Sequence, residues 1–222
     1  PILDTARVYS RYVHCIMLRT YAQSTLEALA SGSDVPVING LSDMYHPCQV
    51  LSDLLTAREE TGANLEELAF AWIGDGNNMC HSWLAAAGVL GLELRVACPP
   101  RHMPSAAVYD RARALGARLT VTDDPAEAVR GAHVVSTDVW ASMGQETEAE
   151  AKREVFAPYQ VDAELMGKAR EGAIFLHCLP AHRGEEVTDE VIESPASRVW
   201  GQAENRLHVQ KAIMEMLVRG RA

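Results

Sequence analysis

The chain has 222 residues, 48% hydrophobic and 23% charged, enough for one large domain or two small ones with ordinary globular packing. Its formal net charge of −10 offers no general electrostatic footprint for nucleic acid or an acidic membrane, so an anionic ligand must be met by locally placed arginines. The longest apolar run, Trp83 to Leu92, is too short and too glycine-broken to span a bilayer.

In chain order, a helix is expected over 4–13 with Asp4 as its N-cap, followed by the strand Cys15-Ile16-Met17-Leu18, which ends at Arg19-Thr20. Ser24 to Ala30 reads as a helix closed by Gly32, and Val35 to Ile38 as a second strand running into the turn residues Asn39-Gly40. Pro47 suits a first helical position, which makes His46 the N-cap and Gln49 the third residue of a helix ending near Gly62. The acidic stretch from Glu59 to Glu67 reads as a linker. Beyond it strands are expected at 69–73, 93–98, 118–122, 133–137, 173–178 and 198–201, with helices at 78–90, 104–115, 125–130, 147–155, 162–169 and 188–193. That rhythm predicts an α/β protein with doubly wound parallel sheets. A last helix over 203–219 is expected to bury Leu207, Ile213, Met214 and Leu217. Five cysteines, at 15, 48, 80, 98 and 178, are odd in number and lack close pairing, and no secretory signal precedes them, so a reducing cytoplasm is expected.

Several groups sit where ligands bind in open α/β sheets, beyond the carboxyl ends of strands. Gly74-Asp75-Gly76-Asn77-Asn78-Met79 follows a strand and opens a helix. Met79 occupies the third glycine position of a dinucleotide fingerprint, and Cys98-Pro99-Pro100 stands where a ribose-binding acid belongs, which argues against a nicotinamide nucleotide. Asn77 or Asn78 could instead hold a small polar ligand, or both could simply cap the helix. His46 and Gln49, at the positive end of a helix dipole, could polarise a carbonyl oxygen or serve as caps. Arg19 and Arg206, at element ends, suit a phosphate or carboxylate clamp, the alternative being solvated surface charge. Asp138 and Ser142, four apart in a loop closed by Gly144, could grip an amino group, or Asp138 could only form the turn. His177, Cys178 and His182 lack a second pair at zinc-ligand spacing, so no metal site is expected.

In order, His-Pro-Cys-Gln (46–49), Asp-Gly-Asn-Asn (75–78), Asp-x-Trp-x-Ser-Met-Gly (138–144), His-Cys-Leu-Pro (177–180) and Glu-Asn-Arg (204–206) closely resemble the motif set of ornithine carbamoyltransferases. The likeness runs from residue 1 to about residue 219, and Ser-Met-Gly and His-Cys-Leu-Pro are its specific parts. It implies that Arg19, His46, Gln49, Cys178, Leu179 and Arg206 bind carbamoyl phosphate. Asn78, Asp138, Ser142 and Met143 bind L-ornithine by the same likeness, and Cys178 is the active-site residue. It further implies a cis Leu179–Pro180 bond, no cofactor or metal, arginine metabolism or amino-acid biosynthesis, and a homotrimer or higher homo-oligomer. The expected organisation is a carbamoyl-phosphate lobe from 1–62 plus 203–222 and an ornithine lobe from 63–202. The family's Ser-x-Arg-Thr phosphate loop has no counterpart here, because Leu18-Arg19-Thr20 is a different motif. The first lobe is therefore expected to be incomplete and this chain alone inactive or nearly so. The alternatives are a carbamoyltransferase for another amine or amino acid, and an inactive ornithine-binding fragment.

Overall fold

The computed structural model describes residues 1–140 and 149–220. The first unit is a two-stranded parallel sheet of β1 (Ile16–Arg19) and β2 (Val37–Leu41), with α1 (Ile2–Tyr9) and α2 (Gln23–Gly32) packed on it around Ala6, Ile16 and Leu29. Asp4 is not the N-cap of α1; the helix begins at Ile2, and Asp4 instead pairs with Arg7 one turn along. A carboxylate in the first turn still faces the positive helix end, which is why the residue type alone did not fix the boundary.

The long helix α3 (Pro47–Thr61) leads into a five-stranded sheet of β3 (Ala69–Ile73), β4 (Glu93–Ala97), β5 (Arg118–Thr122), β6 (Val134–Thr137) and β7 (Ile174–His177). Strand order is β5-β4-β3-β6-β7, and every pairing is parallel. The sheet is covered on both sides, which is why Ala-Phe-Ala-Trp-Ile of β3 is an unbroken apolar run buried at every position. Alternation along the strand divides the two cores. Phe70 and Trp72 face α3, α4 (Asn78–Leu90) and α5 (Ala106–Ala114). Ala71 and Ile73 face α6 (Pro125–Val129), α7 (Ala149–Phe156), α8 (Ala163–Met166) and α9 (Asp189–Ile192). The chain winds outward in opposite directions from β3 and β6, so a crevice opens at the carboxyl ends of these two neighbours.

Residues 198–201 are not a strand. Val199 begins α10 (Val199–Arg219), and beside β7 the chain forms only a single bridge, Phe175 to Ser197. The Phe175 N–H donates to Ala196 O and the Arg198 N–H to Phe175 O, so two bonds satisfy this edge before the helix starts. The buried face of α10 also differs from expectation. Leu207, Met214 and Leu217 are exposed, whereas Val199, Gln202 and Asn205 are buried. The helix packs along α3 through a polar seam in which Ser52 Oγ donates to Gln202 O at 2.7 Å and Asn205 Nδ2 donates to Thr56 Oγ1 at 3.0 Å. Hydrophobic periodicity cannot reveal a contact face made of amides and hydroxyls. Among the described residues no helix is long and apolar enough to cross a membrane.

Candidate active site

Each group in the crevice is placed by the end of an element. Tight turns follow β3: Gly74 has φ 132°, and a Cβ on Gly76 would lie 2.3 Å from Pro104 N, so only glycine lets the 102–104 segment pass. The turn delivers Asn77 as N-cap of α4, where Oδ1 accepts from the Met79 and Cys80 N–H groups at 2.9 and 3.1 Å. With its oxygen committed to the helix, Asn77 Nδ2 donates to Asp138 Oδ2 at 2.9 Å. Asp138 follows β6, is 9% exposed, and accepts from Cys178 Sγ at 3.0 Å through Oδ1. Asn78 turns the other way, and its Nδ2 donates to Ser42 O at 2.8 Å, so α4 is tied to the loop after β2.

Cys178 follows β7. Burial, and next the Asp138 carboxylate, push its thiol well above the ordinary value, so it stands in the site as a protonated donor. Behind it, His177 Nδ1 accepts from the Leu179 N–H at 2.9 Å, which fixes the proton on Nε2 facing Glu186 Oε1 at 3.1 Å. His177 and Glu186 are both buried, and this pair holds the turn in which Leu179 adopts φ 54°. The Leu179–Pro180 bond is cis, as expected.

The opposite wall comes from the start of α3 and from α10. His46 is the N-cap and Pro47 the first helical residue, as the sequence indicates, but His46 caps through no side-chain bond. Its N–H donates to Ser82 Oγ at 2.6 Å, while the ring faces Arg206 Nη1 at 3.5 Å. Burial first, then the charges of Arg206 and Arg19, lower its pKa to about 3, so it is a neutral imidazole at ordinary pH. Gln49, 1% exposed, accepts from Arg206 Nη1 at 2.5 Å and donates from Nε2 to Asp53 Oδ1 at 2.8 Å. Asp53 is fully buried, and desolvation raises its pKa to about 7 against the hydrogen bonds of Gln49 and Gln202. Gln202 Nε2 donates to the same Asp53 oxygen at 2.6 Å and its Oε1 accepts from the His177 N–H at 3.0 Å, which joins the two walls.

His46, Gln49 and Arg206 thus form one cluster, with Arg19, exposed at the end of β1, near enough to bias His46. Asp138 and Cys178 form the other, with Leu179 in the turn beside it. Ser142 and Met143 lie outside the described residues. Sequence reasoning missed Asp53, Gln202 and Lys152. Lys152 Nζ sits 2.7 Å from Asp75 Oδ2 and 2.8 Å from Trp140 O, clamping α7 to the turn after β3. Its legible signal was a lysine at a position otherwise facing an apolar core.

Asp138, His177 and Cys178 present donor atoms within 4.8 Å of one another, as do His182, Glu185 and Glu186. In the first set both His177 nitrogens are already bonded within the turn, and Cys178 is bonded to Asp138. A metal would have to break those bonds. An apolar cavity of about 470 Å³ lies on the outer side of α3 and α4, lined by Val50, Leu54 and Val89 among others, and shares none of the clustered polar groups.

Two walls, one carrying a guanidinium with a neutral histidine and glutamine and the other a carboxylate with a thiol, face one crevice at the carboxyl ends of β3 and β6. The chain belongs to the aspartate/ornithine carbamoyltransferase family: its carbamoyl-phosphate-binding domain model matches residues 1–59 and its aspartate/ornithine-binding domain model residues 66–217. The chain is 57% identical to the ornithine carbamoyltransferase of Syntrophotalea carbinolica over 218 residues, covering 98% of this chain and 72% of that protein. It is 54% identical to the anabolic ornithine carbamoyltransferase of Pseudomonas aeruginosa, covering 98% and 70% of the two chains. Among solved structures, ornithine carbamoyltransferase from Pyrococcus furiosus superposes with a TM-score of 0.93 at 49% identity, covering 99% of this chain and 71% of that one. The anabolic enzyme from Campylobacter jejuni gives a TM-score of 0.95 at 41% identity, covering 99% and 74%.

Proposed function

We propose that the chain carries the ornithine carbamoyltransferase reaction, in which the carbamoyl group of carbamoyl phosphate passes to the δ-amino group of L-ornithine, giving L-citrulline and phosphate. The observation that carries this reading is the meeting of Gln49 and Arg206 with Asp138 and Cys178 across one crevice, joined through Gln202. Arg19, His46, Gln49 and Arg206 take carbamoyl phosphate, with the backbone at Cys178 and Leu179 facing its carbamoyl end. Asp138, Ser142 and Met143 take ornithine, together with Asn78, whose Nδ2 is given to Ser42 O and whose Oδ1 is left to accept from the ligand.

Ornithine's amine has an ordinary pKa near about 10.4, so it arrives protonated and must lose a proton before it can attack. Asp138 is the carboxylate placed to orient it and draw that proton off. Cys178 keeps its own proton and steers Asp138 Oδ1. The amine nitrogen then bonds to the carbonyl carbon and the carbonyl oxygen takes up negative charge. As the carbonyl re-forms, the bond to the phosphate oxygen breaks with its electron pair leaving on phosphate, and the second proton of the attacking nitrogen passes to that departing phosphate. A neutral His46 together with Arg206 offers donors to the developing oxyanion. Holding two substrates in line supplies much of the remaining rate gain. A homotrimer, a place in arginine metabolism and a reducing cytoplasm belong to the same reading, the last supported by five free cysteines.

The test is citrulline formation by the full polypeptide, with ornithine, putrescine and aspartate as competing acceptors. Ornithine is expected to win, and Asp138→Asn to lower kcat by about a hundredfold or more, the range for a displaced general base. Preference for another acceptor, or full turnover in Asp138→Asn, refutes the assignment.

A further inference from the structure

Asp53 lies fully buried behind the wall formed by α3 and α10, and its Oδ1 accepts from two glutamine amides at once, Gln49 Nε2 at 2.8 Å and Gln202 Nε2 at 2.6 Å. A primary amide has a donor end and an acceptor end of nearly the same shape, so its neighbours decide which way it turns. An ionised carboxylate oxygen accepts and cannot donate. Both glutamines must therefore turn their NH2 ends to Asp53 and their carbonyl oxygens outward. Gln49 Oε1 then faces Arg206, and Gln202 Oε1 holds the His177 N–H beside Cys178. If Gln49 were reversed, its NH2 would meet the guanidinium donor to donor. Protonation leaves the arrangement intact, since the proton can sit on Oδ2, which has no hydrogen-bond partner among the described residues.

We propose that Asp53 is a positioning residue that sets the amide polarity of Gln49, so that an oxygen rather than an NH2 group faces the carbamoyl –NH2 of the substrate. This rests on Gln49 binding carbamoyl phosphate. Gln49 Oε1 has a second lone pair beyond the one given to Arg206, and the substrate's –NH2 is a donor that needs an acceptor. Inorganic phosphate lacks that –NH2. Loss of Asp53 therefore weakens carbamoyl phosphate and spares phosphate, a split that a purely structural role does not produce.

The experiment uses the full polypeptide and compares KM for carbamoyl phosphate with Ki for inorganic phosphate. Wild-type citrulline formation first establishes the underlying reaction, so its absence counts against the proposed function and not against Asp53. Asp53→Leu, similar in size and unable to accept, is expected to raise KM for carbamoyl phosphate about tenfold, with Ki for phosphate within about twofold. Equal weakening of both ligands, or no change in either, overturns the proposal. The paired swap Gln49→Glu with Asp53→Asn conserves charge and exchanges donor for acceptor across the contact. It is expected to restore most of the carbamoyl-phosphate affinity lost in Gln49→Glu alone. Failure of that rescue overturns the proposal even if Asp53→Leu does not fold.

Discussion

Replacing His46 by asparagine should tilt the dependence of stability on pH. The native state holds His46 neutral down to about pH 3, whereas the unfolded chain takes up a proton near its ordinary value of 6.5. Below pH 6.5 the unfolded state therefore binds more protons, and stability falls as pH falls. Asp53 acts in the opposite sense. Its native pKa of about 7 lies above the ordinary 3.8, so the native state binds more protons between those values and stability falls as pH rises. Each fully developed slope is about 1.4 kcal/mol per pH unit, which amounts to about 2 kcal/mol for each group between pH 4.5 and 6.5. In the wild type the two contributions nearly cancel across that window. In His46→Asn, where asparagine still suits the helix cap, the Asp53 slope is no longer offset by that of His46. Urea unfolding at fixed protein concentration at pH 4.5, 5.5 and 6.5 should show the variant gaining about 2 kcal/mol relative to wild type as pH falls. Taking the difference between the two proteins removes the titration of every other group. Parallel pH profiles would mean that His46 is not held neutral, and the electrostatic account of that wall would fail.

Lys152→Met should cost about 3 kcal/mol, because it removes the partner at 2.7 Å from the Asp75 carboxylate, whose side chain is 13% exposed, and leaves it the weaker contact of His102 Nδ1 at 3.7 Å. Thermal unfolding checks it, and a loss under about 1 kcal/mol would show Asp75 to be solvated instead. Gly76→Ala should cost about 1–3 kcal/mol, since the new methyl would displace backbone at Pro104 rather than a flexible side chain. An unchanged melting curve would show that the 102–104 segment gives way freely.

The parallel sheet was legible because both faces of its central strands are buried, so Ala-Phe-Ala-Trp-Ile and Val-Val-Ser-Thr stand out between helices. Arg-Val-Trp-Gly mimicked a strand for the same reason, an apolar pair near a polar end, although Val199 packs in the core as helix. On the site, the groups at strand ends and the His46-Pro47 cap were readable from local signals. Asp53 and Gln202 were not. One sits at mid-helix and the other in the first turn of α10, where spacing marks nothing, and their meaning arises from a contact between residues 149 positions apart. Asn77 and Asn78 looked interchangeable in sequence. The first turn of α4 separates them, committing one to the Asp138 side and the other to Ser42.

The seam between α3 and α10 also bears on the order in which the molecule takes shape. Gln49 and Arg206, which share one bond in the crevice, are 157 residues apart in the chain. Contacts of such long range close late, because the loop entropy between them is lost before the contact returns anything. During synthesis the five-stranded sheet can assemble as its strands emerge, while the wall that carries His46, Gln49 and Arg206 waits for α10. A nascent chain therefore passes through a stage with a finished sheet and no finished crevice, which keeps the side chains of that seam hydrated until α10 docks.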